Sequence, residues 1–268
     1  MSRNIFVALV MIVAACAATS RAVPDAADAV GALTHGVFDH KVLWLCLTIA
    51  AWHLLRTPSP PLQLYHLLAA FPAIFLASSS YGMWPWIGLS FTFSMLLLRA
   101  GEAWGPASAG LLLGLMAALH AVSVGVLSNL SGDAVLEIDA WIAGSLAGLF
   151  LQGLAVQGTA LQYLDGHMLV LVWGCSSLSN LGDVLLLFWA GVSFFTANAK
   201  SGSSKGRLFF CCFLLVCLTV ALNAIRLALM VADAEYYAYL HAGDGAALFR
   251  MATLGVTATM SVAALSHD

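Results

Sequence analysis

The sequence predicts an all-α protein, a polytopic membrane helical bundle, and three observations lead to that class. Only 9% of the 268 residues are charged and 62% are hydrophobic, whereas roughly a quarter of a soluble domain is charged. The mean hydropathy is +0.94. Apolar stretches recur along nearly the whole length and leave no segment for a separate soluble domain. Residues 1–268 are therefore read as a single integral membrane domain of about eight transmembrane helices plus one interfacial or re-entrant helix. Ten basic and thirteen acidic residues give a net charge of −3 with no long basic tract, which excludes nucleic acid as a partner.

Eight segments are long and apolar enough, allowing for tilt, to be candidate spans. The first, 5–20, follows Met-Ser-Arg-Asn; it fits a signal peptide cut near residues 18–22 and fits a retained anchor equally well. Segments 42–55 and 62–79 carry His53 and His66, read with His120 as core or interface residues with no metal role. Segment 83–98 opens with Trp84 and Trp86, an interfacial anchor. Segment 107–130 has glycines from Gly110 to Gly125 among alanines, the composition of close helix packing. Segments 176–197, 208–232 and 246–265 complete the set. A ninth apolar stretch, 138–156, lies between the acidic cluster Asp133, Glu137 and Asp139 and the polar segment 157–167.

Orientation follows from lysine and arginine, which concentrate in cytoplasmic loops. Lys200, Lys205 and Arg207 place the 200–207 loop inside, so Cys175 and residues beyond 232 lie outside. From the other end, Arg3, Arg56 and Arg99 fall inside and Asp25, Asp28 and Asp39 outside. The two counts agree only when 138–156 does not fully cross. Arg21, Lys41 and Arg250 depart from the pattern.

Of the six cysteines, Cys16, Cys46, Cys211, Cys212 and Cys217 lie inside apolar runs, and no CxxC or Cys/His spacing marks a zinc site. No metal or cofactor is expected. Cys175 opens a segment instead. The stretch 166–178 reads as extended chain that delivers Cys175 through a Gly-Cys turn to a helix start, where the helix dipole favours thiolate and a nearby cation lowers the thiol pKa. Arg226 is the candidate cation. An arginine within an apolar helix costs about 2.5–3.5 kcal/mol, so it faces a partner or a wet cavity. Asn223 and Arg226 share a helix face at i, i+3, where their donors can hold an acyl oxygen together. Pairing with Asp233, Glu235 or Asp183 is the structural alternative for Arg226, and Asp183 could instead orient a substrate amine. His241, in the loop beyond, carries an imidazole suited to proton transfer near neutral pH.

Cys175-Ser176-Ser177 at a helix start, Asn223-Ala-Ile-Arg226 late in the next helix, and His241 followed four residues later by Gly245 resemble the exosortase/archaeosortase family of membrane cysteine transpeptidases. The resemblance covers about 135–251, the catalytic half. Ser177 replaces the family's usual glycine, and Ser179 stands where many members carry a basic residue. The resemblance implies a multi-pass enzyme of the cell inner membrane whose site faces the periplasm or exterior. Its partners would be exported proteins bearing a C-terminal sorting signal (a motif, a transmembrane helix and a basic tail), membrane lipid, and an acceptor that the sequence does not specify. Cys175 would form a thioester, Arg226 would stabilise the oxyanion, and His241 would move the proton, with Asn223, Ser176 and Asp183 in supporting or substrate-binding roles. Two other classes compete: a transporter-like bundle with Arg226 and Asp183 lining a path, and a non-catalytic membrane scaffold. A thiol oxidoreductase would need a second outer cysteine.

Overall fold

The computed structural model describes residues 2–21, 41–58, 61–78, 83–100, 106–130, 132–163, 168–196, 204–241 and 243–265. Asp25, Asp28, Asp39, Gly166, His167 and Lys200, which entered the charge count and the extended-chain reading, lie outside the described residues, as does the end of the candidate cleavage region at residue 22. Among the described residues the chain is all-α apart from one small sheet. The helices are α1 (Arg3–Arg21), α2 (Lys41–Arg56), α3 (Leu64–Ala77), α4 (Trp84–Ala100), α5 (Pro106–Leu130), α6 (Gly132–Ala147), α7 (Ser177–Thr196), α8 (Lys205–Ala232), α9 (Ala234–His241) and α10 (Asp244–Ala263). Strands β1 (Ala155–Gln157), β2 (Ala160–Gln162) and β3 (Met168–Val170) lie between α6 and α7.

Four helices are long and apolar enough to cross a membrane: α5 over 107–124, α7, α8 and α10. The others fall short of the eight-span expectation for a geometric reason. Helices α2, α3, α4 and α6 have 16, 14, 17 and 16 residues, hence rises of about 21–26 Å at 1.5 Å per residue against a hydrocarbon core of about 30 Å. In α1 the apolar part is Arg3–Ala17. The stretch 138–156 is also not one helix. It is helical to Ala147, turns at 148–150, passes Gly153 at φ 84°, and ends in β1.

The chain divides into two compact units, 1–125 with 193–198, and 126–192 with 199–268. In the first, α3 and α4 make the closest pair. A Cβ on Gly88 would lie 2.7 Å from the Pro72 carbonyl oxygen, so glycine is what lets these backbones approach. Thr92 donates across the pair to the Ala69 carbonyl at 2.8 Å. Gly110 and Gly114 similarly seat α5 against His53 and Phe93, which is the packing that the Gly/Ala composition predicts. His53 and His66 are buried at 1% exposure. At the start of α1, Asn4 donates to the carbonyls of Leu54 and Thr57 at 2.6 and 3.0 Å, satisfying acceptors left over at the end of α2.

The second unit is built around α8. Helices α6, α9 and α10 all pack on it. One cluster joins Leu136, Ala140 and Ala143 of α6, Leu161, Leu169 and Leu171 of the sheet region, and Leu227, Met230 and Val231 of α8, with Cys175 among them. A second cluster joins Val184, Phe188 and Val192 to Cys211 and Leu215. The sheet is an antiparallel meander in the order β1-β2-β3. Gln157 pairs with Ala160, leaving a two-residue turn whose first residue, Gly158, has φ 57°, as a hairpin turn that follows strand twist requires.

Candidate active site

The site begins with local backbone. Val172 is extended, Trp173–Cys175 forms one turn of 3-10 helix, and Ser176 is extended again before α7 starts. The turn is closed by Cys175 N–H to the Val172 carbonyl at 2.8 Å and by Ser176 N–H to the Trp173 carbonyl at 3.0 Å. The first amides of α7 need partners. Ser176 Oγ accepts from the Ser179 N–H at 3.0 Å, the N-cap arrangement. Asp139 Oδ2 accepts from the Ser177 N–H at 2.8 Å.

Asn223, buried on α8, holds the same turn from the other side. Its amide donates to the Cys175 carbonyl at 2.9 Å and to Ser177 Oγ at 3.1 Å. Its oxygen accepts from Asn180, whose amide also donates to the Ser176 carbonyl at 3.0 Å. The sequence expectation had Asn223 aiming its donors at an acyl oxygen beside Arg226. The structure directs them to the turn, because the backbone oxygen of Cys175 and the hydroxyl of Ser177 are buried acceptors that need donors.

Cys175 Sγ lies 3.8 Å from His241 Nδ1, within hydrogen-bonding reach for sulfur. His241 is not in a loop, as the sequence reading had it. It is the last residue of α9, a helix that Asp233 initiates by accepting from the Glu235 N–H at 2.8 Å. Its ring stacks on Tyr237 with centroids 5.0 Å apart and planes at 11°. Arg226 donates from Nε and Nη2 to the Leu240 carbonyl at 3.1 and 3.0 Å, so one guanidinium edge fixes the residue next to His241. Its hydrogen bonds among the described residues go there and not to Asp183, Asp233 or Glu235. Asp183 is half-buried on α7, and its expected pairing with Arg226 is not made. The helix end supplied an orphan carbonyl, which suits a forked cation as well as a carboxylate does.

Electrostatics at the thiol run opposite to the dipole argument. Burial pushes the Cys175 thiol above the ordinary value, and the nearby Arg226 charge and the Val172 backbone pull it down by less. The thiol is 5% exposed, and the amide ends that would favour a thiolate are already engaged by Ser176 and Asp139. Asp139 is also held above the usual carboxylate range by burial, offset in part by its bonds to Ser177. The resting site therefore holds a neutral thiol against an imidazole, with a fixed cation nearby.

The structure thus brings Cys175, His241, Arg226, Asn223 and Ser176 into one region of the second unit. Asp139 and Asn180, which support the turn, were not selected from the sequence; Asp139 stood in view only as part of an acidic cluster. Among the described residues no three metal-ligating side chains gather. Fold and site together define a helical membrane-type chain in which a buried cysteine meets an exposed histidine beside a half-buried arginine. No protein-family model, curated protein or solved structure matches it.

Proposed function

We propose that the protein is a membrane-embedded cysteine endopeptidase and transpeptidase that cleaves C-terminal sorting signals of exported proteins and transfers them to an acceptor. The observation that carries this reading is the 3.8 Å approach of Cys175 Sγ to His241 Nδ1, made by two residues far apart in sequence. His241 takes the thiol proton as Sγ attacks the scissile carbonyl carbon. Arg226 stabilises the oxyanion through the guanidinium edge turned away from Leu240. The intermediate collapses as the C–N bond breaks, and His241 returns the proton to the leaving amine. The resulting thioester is opened by an amine, hydroxyl or water, which yields its proton to His241, and His241 passes it to the departing Cys175 thiolate to restore the thiol. Asn223, Ser176 and Asp139 act as positioning residues for the turn. The high resting thiol pKa fits a nucleophile ionised only as the carbonyl arrives.

This reading places the chain in the cell inner membrane as a multi-pass protein of eight spans, the shorter helices crossing where the bilayer thins or helices tilt, with Cys175 facing the periplasm or exterior. The test is co-expression with exported proteins that end in a motif, a transmembrane helix and a basic tail. Wild type is expected to release the tail, and Cys175→Ala and His241→Ala to leave it attached. Normal tail removal by Cys175→Ala would overturn the proposal.

A further inference from the structure

Strand β3 lies at the edge of the meander and leads, through Leu171 and Val172, directly into the turn that carries Cys175. Its register with β2 pairs Ala160 with Val170, Leu161 with Leu169 and Gln162 with Met168. The Leu171 N–H donates to the Thr159 carbonyl at 3.0 Å. Backbone groups along a strand point alternately to its two sides. Leu169 and Leu171 therefore direct theirs at β2, and Met168 and Val170 direct theirs away from the sheet. Among the described residues no strand pairs with that side. The side chains alternate in the same way: Leu169 and Leu171 are buried in the core, whereas Met168 and Val170 are 56% and 51% exposed and Val172 is 52% exposed.

An unpaired edge of this kind is a template for one more strand, and burying it without a partner would leave donors and acceptors unsatisfied. Its occupant follows from where the edge leads. From Val170 to Val172 is about 7 Å of extended chain, and the 3-10 turn adds about 6 Å to Cys175. A polypeptide paired with Met168 and Val170 would reach the thiol within about four residues. We propose that β3 is the docking edge for the substrate, which binds as an extended peptide adding a fourth strand and is recognised there through backbone N–H and C=O groups, with its alternate side chains against Met168, Val170 and Val172. This rests on the acyl-transfer reading of Cys175 and assigns where the peptide lies.

The test compares labelling of Cys175, in the full-length protein in detergent, by iodoacetamide and by an acetylated tetrapeptidyl vinyl sulfone of alanine and valine. Two further probes carry the same peptide N-methylated at its odd or its even residues. Strand pairing uses the N–H groups of one set only, so one methylated probe is expected to label at least tenfold more slowly and the other within about twofold of the parent. Val170→Pro removes an edge donor without touching the β2 ladder. It is expected to slow the parent peptide tenfold and leave the iodoacetamide rate unchanged. Equal rates for the two methylated probes, or a Val170→Pro protein labelled as fast as wild type, would overturn the docking edge and leave the nucleophile standing. A wild-type Cys175 that iodoacetamide does not modify would overturn the acyl-transfer reading and the docking edge with it.

Discussion

Cys175 is held by its surroundings more than it is activated by them. Its carbonyl is bonded by Asn223, its own N–H closes the turn on Val172, and burial raises its pKa more than Arg226 lowers it. A group with a raised pKa stays protonated to higher pH, so alkylation of Cys175 is expected to keep rising with pH beyond the point where a free cysteine has levelled. Iodoacetamide rates measured from pH 6 to 10.5, with the other five cysteines replaced by alanine, check this. Removing the guanidinium in Arg226→Ala deletes a lowering influence and is expected to move the midpoint further up, slowing alkylation several-fold at pH 8. A midpoint below that of free cysteine would contradict the burial argument. Cys175, Asn223, Arg226 and His241 stood out in the sequence as chemistry-bearing residues in or beside apolar runs, and the structure brings them into one region. The partner of each polar atom was not, since the Leu240 and Cys175 carbonyls belong to every residue type alike.

Helix α9 is the element that sets the imidazole. Eight residues are too few to hold a helix by propensity alone, so its position comes from α8 and α10. Asp233 begins it, Arg226 grips the Leu240 carbonyl near its end, and Gly245 in the first turn of α10 fits beneath Tyr239. A Cβ at Gly245 would lie 2.5 Å from the Tyr239 ring and 2.7 Å from Leu240 Cδ2. Gly245→Ala is therefore expected to cost about 1–3 kcal/mol as α9 shifts, read as a lower Tm in detergent, with a slower tail-cleavage rate because His241 moves from the thiol. Retention of both the wild-type Tm and rate would refute this account of the glycine. The sequence pattern placed Gly245 four residues after His241, but a turn and a helix end both suit such a glycine. Only packing against Tyr239 separates them. The strands were legible only in part: β3 falls within the stretch 166–178 that reads as extended chain, whereas β1 begins inside the apolar stretch 138–156 and β2 lies in the polar segment 157–167, where Gly158 alone marks the hairpin.

At the scale of the whole molecule, composition and recurring apolar runs were enough to predict helices in a membrane-type chain, and α5, α7, α8 and α10 meet the length and hydropathy that a span demands. The number of crossings was less legible. Hydropathy windows measure apolar length along the sequence, whereas α3 stops at Ala77 and α6 at Ala147, before either reaches bilayer thickness. Charge parity still makes a sharp statement. If α6 lies at the interface or re-enters, a phosphatase reporter fused after Gly166 will be active on the outer side, and a cytoplasmic reporter fused there will be silent. The reverse result would put the thiol inside and remove it from exported substrates.

Gly174 stands beside the thiol, is exposed, and has nothing within 4 Å of where a side chain would begin. Its glycine is therefore not demanded by the fold, unlike Gly88 or Gly245. A bulky residue there would narrow the approach to Cys175 without disturbing the scaffold, and a correspondingly trimmed electrophile would then reach only the altered protein. The turn thus offers a position for selective chemical tagging of one copy among many.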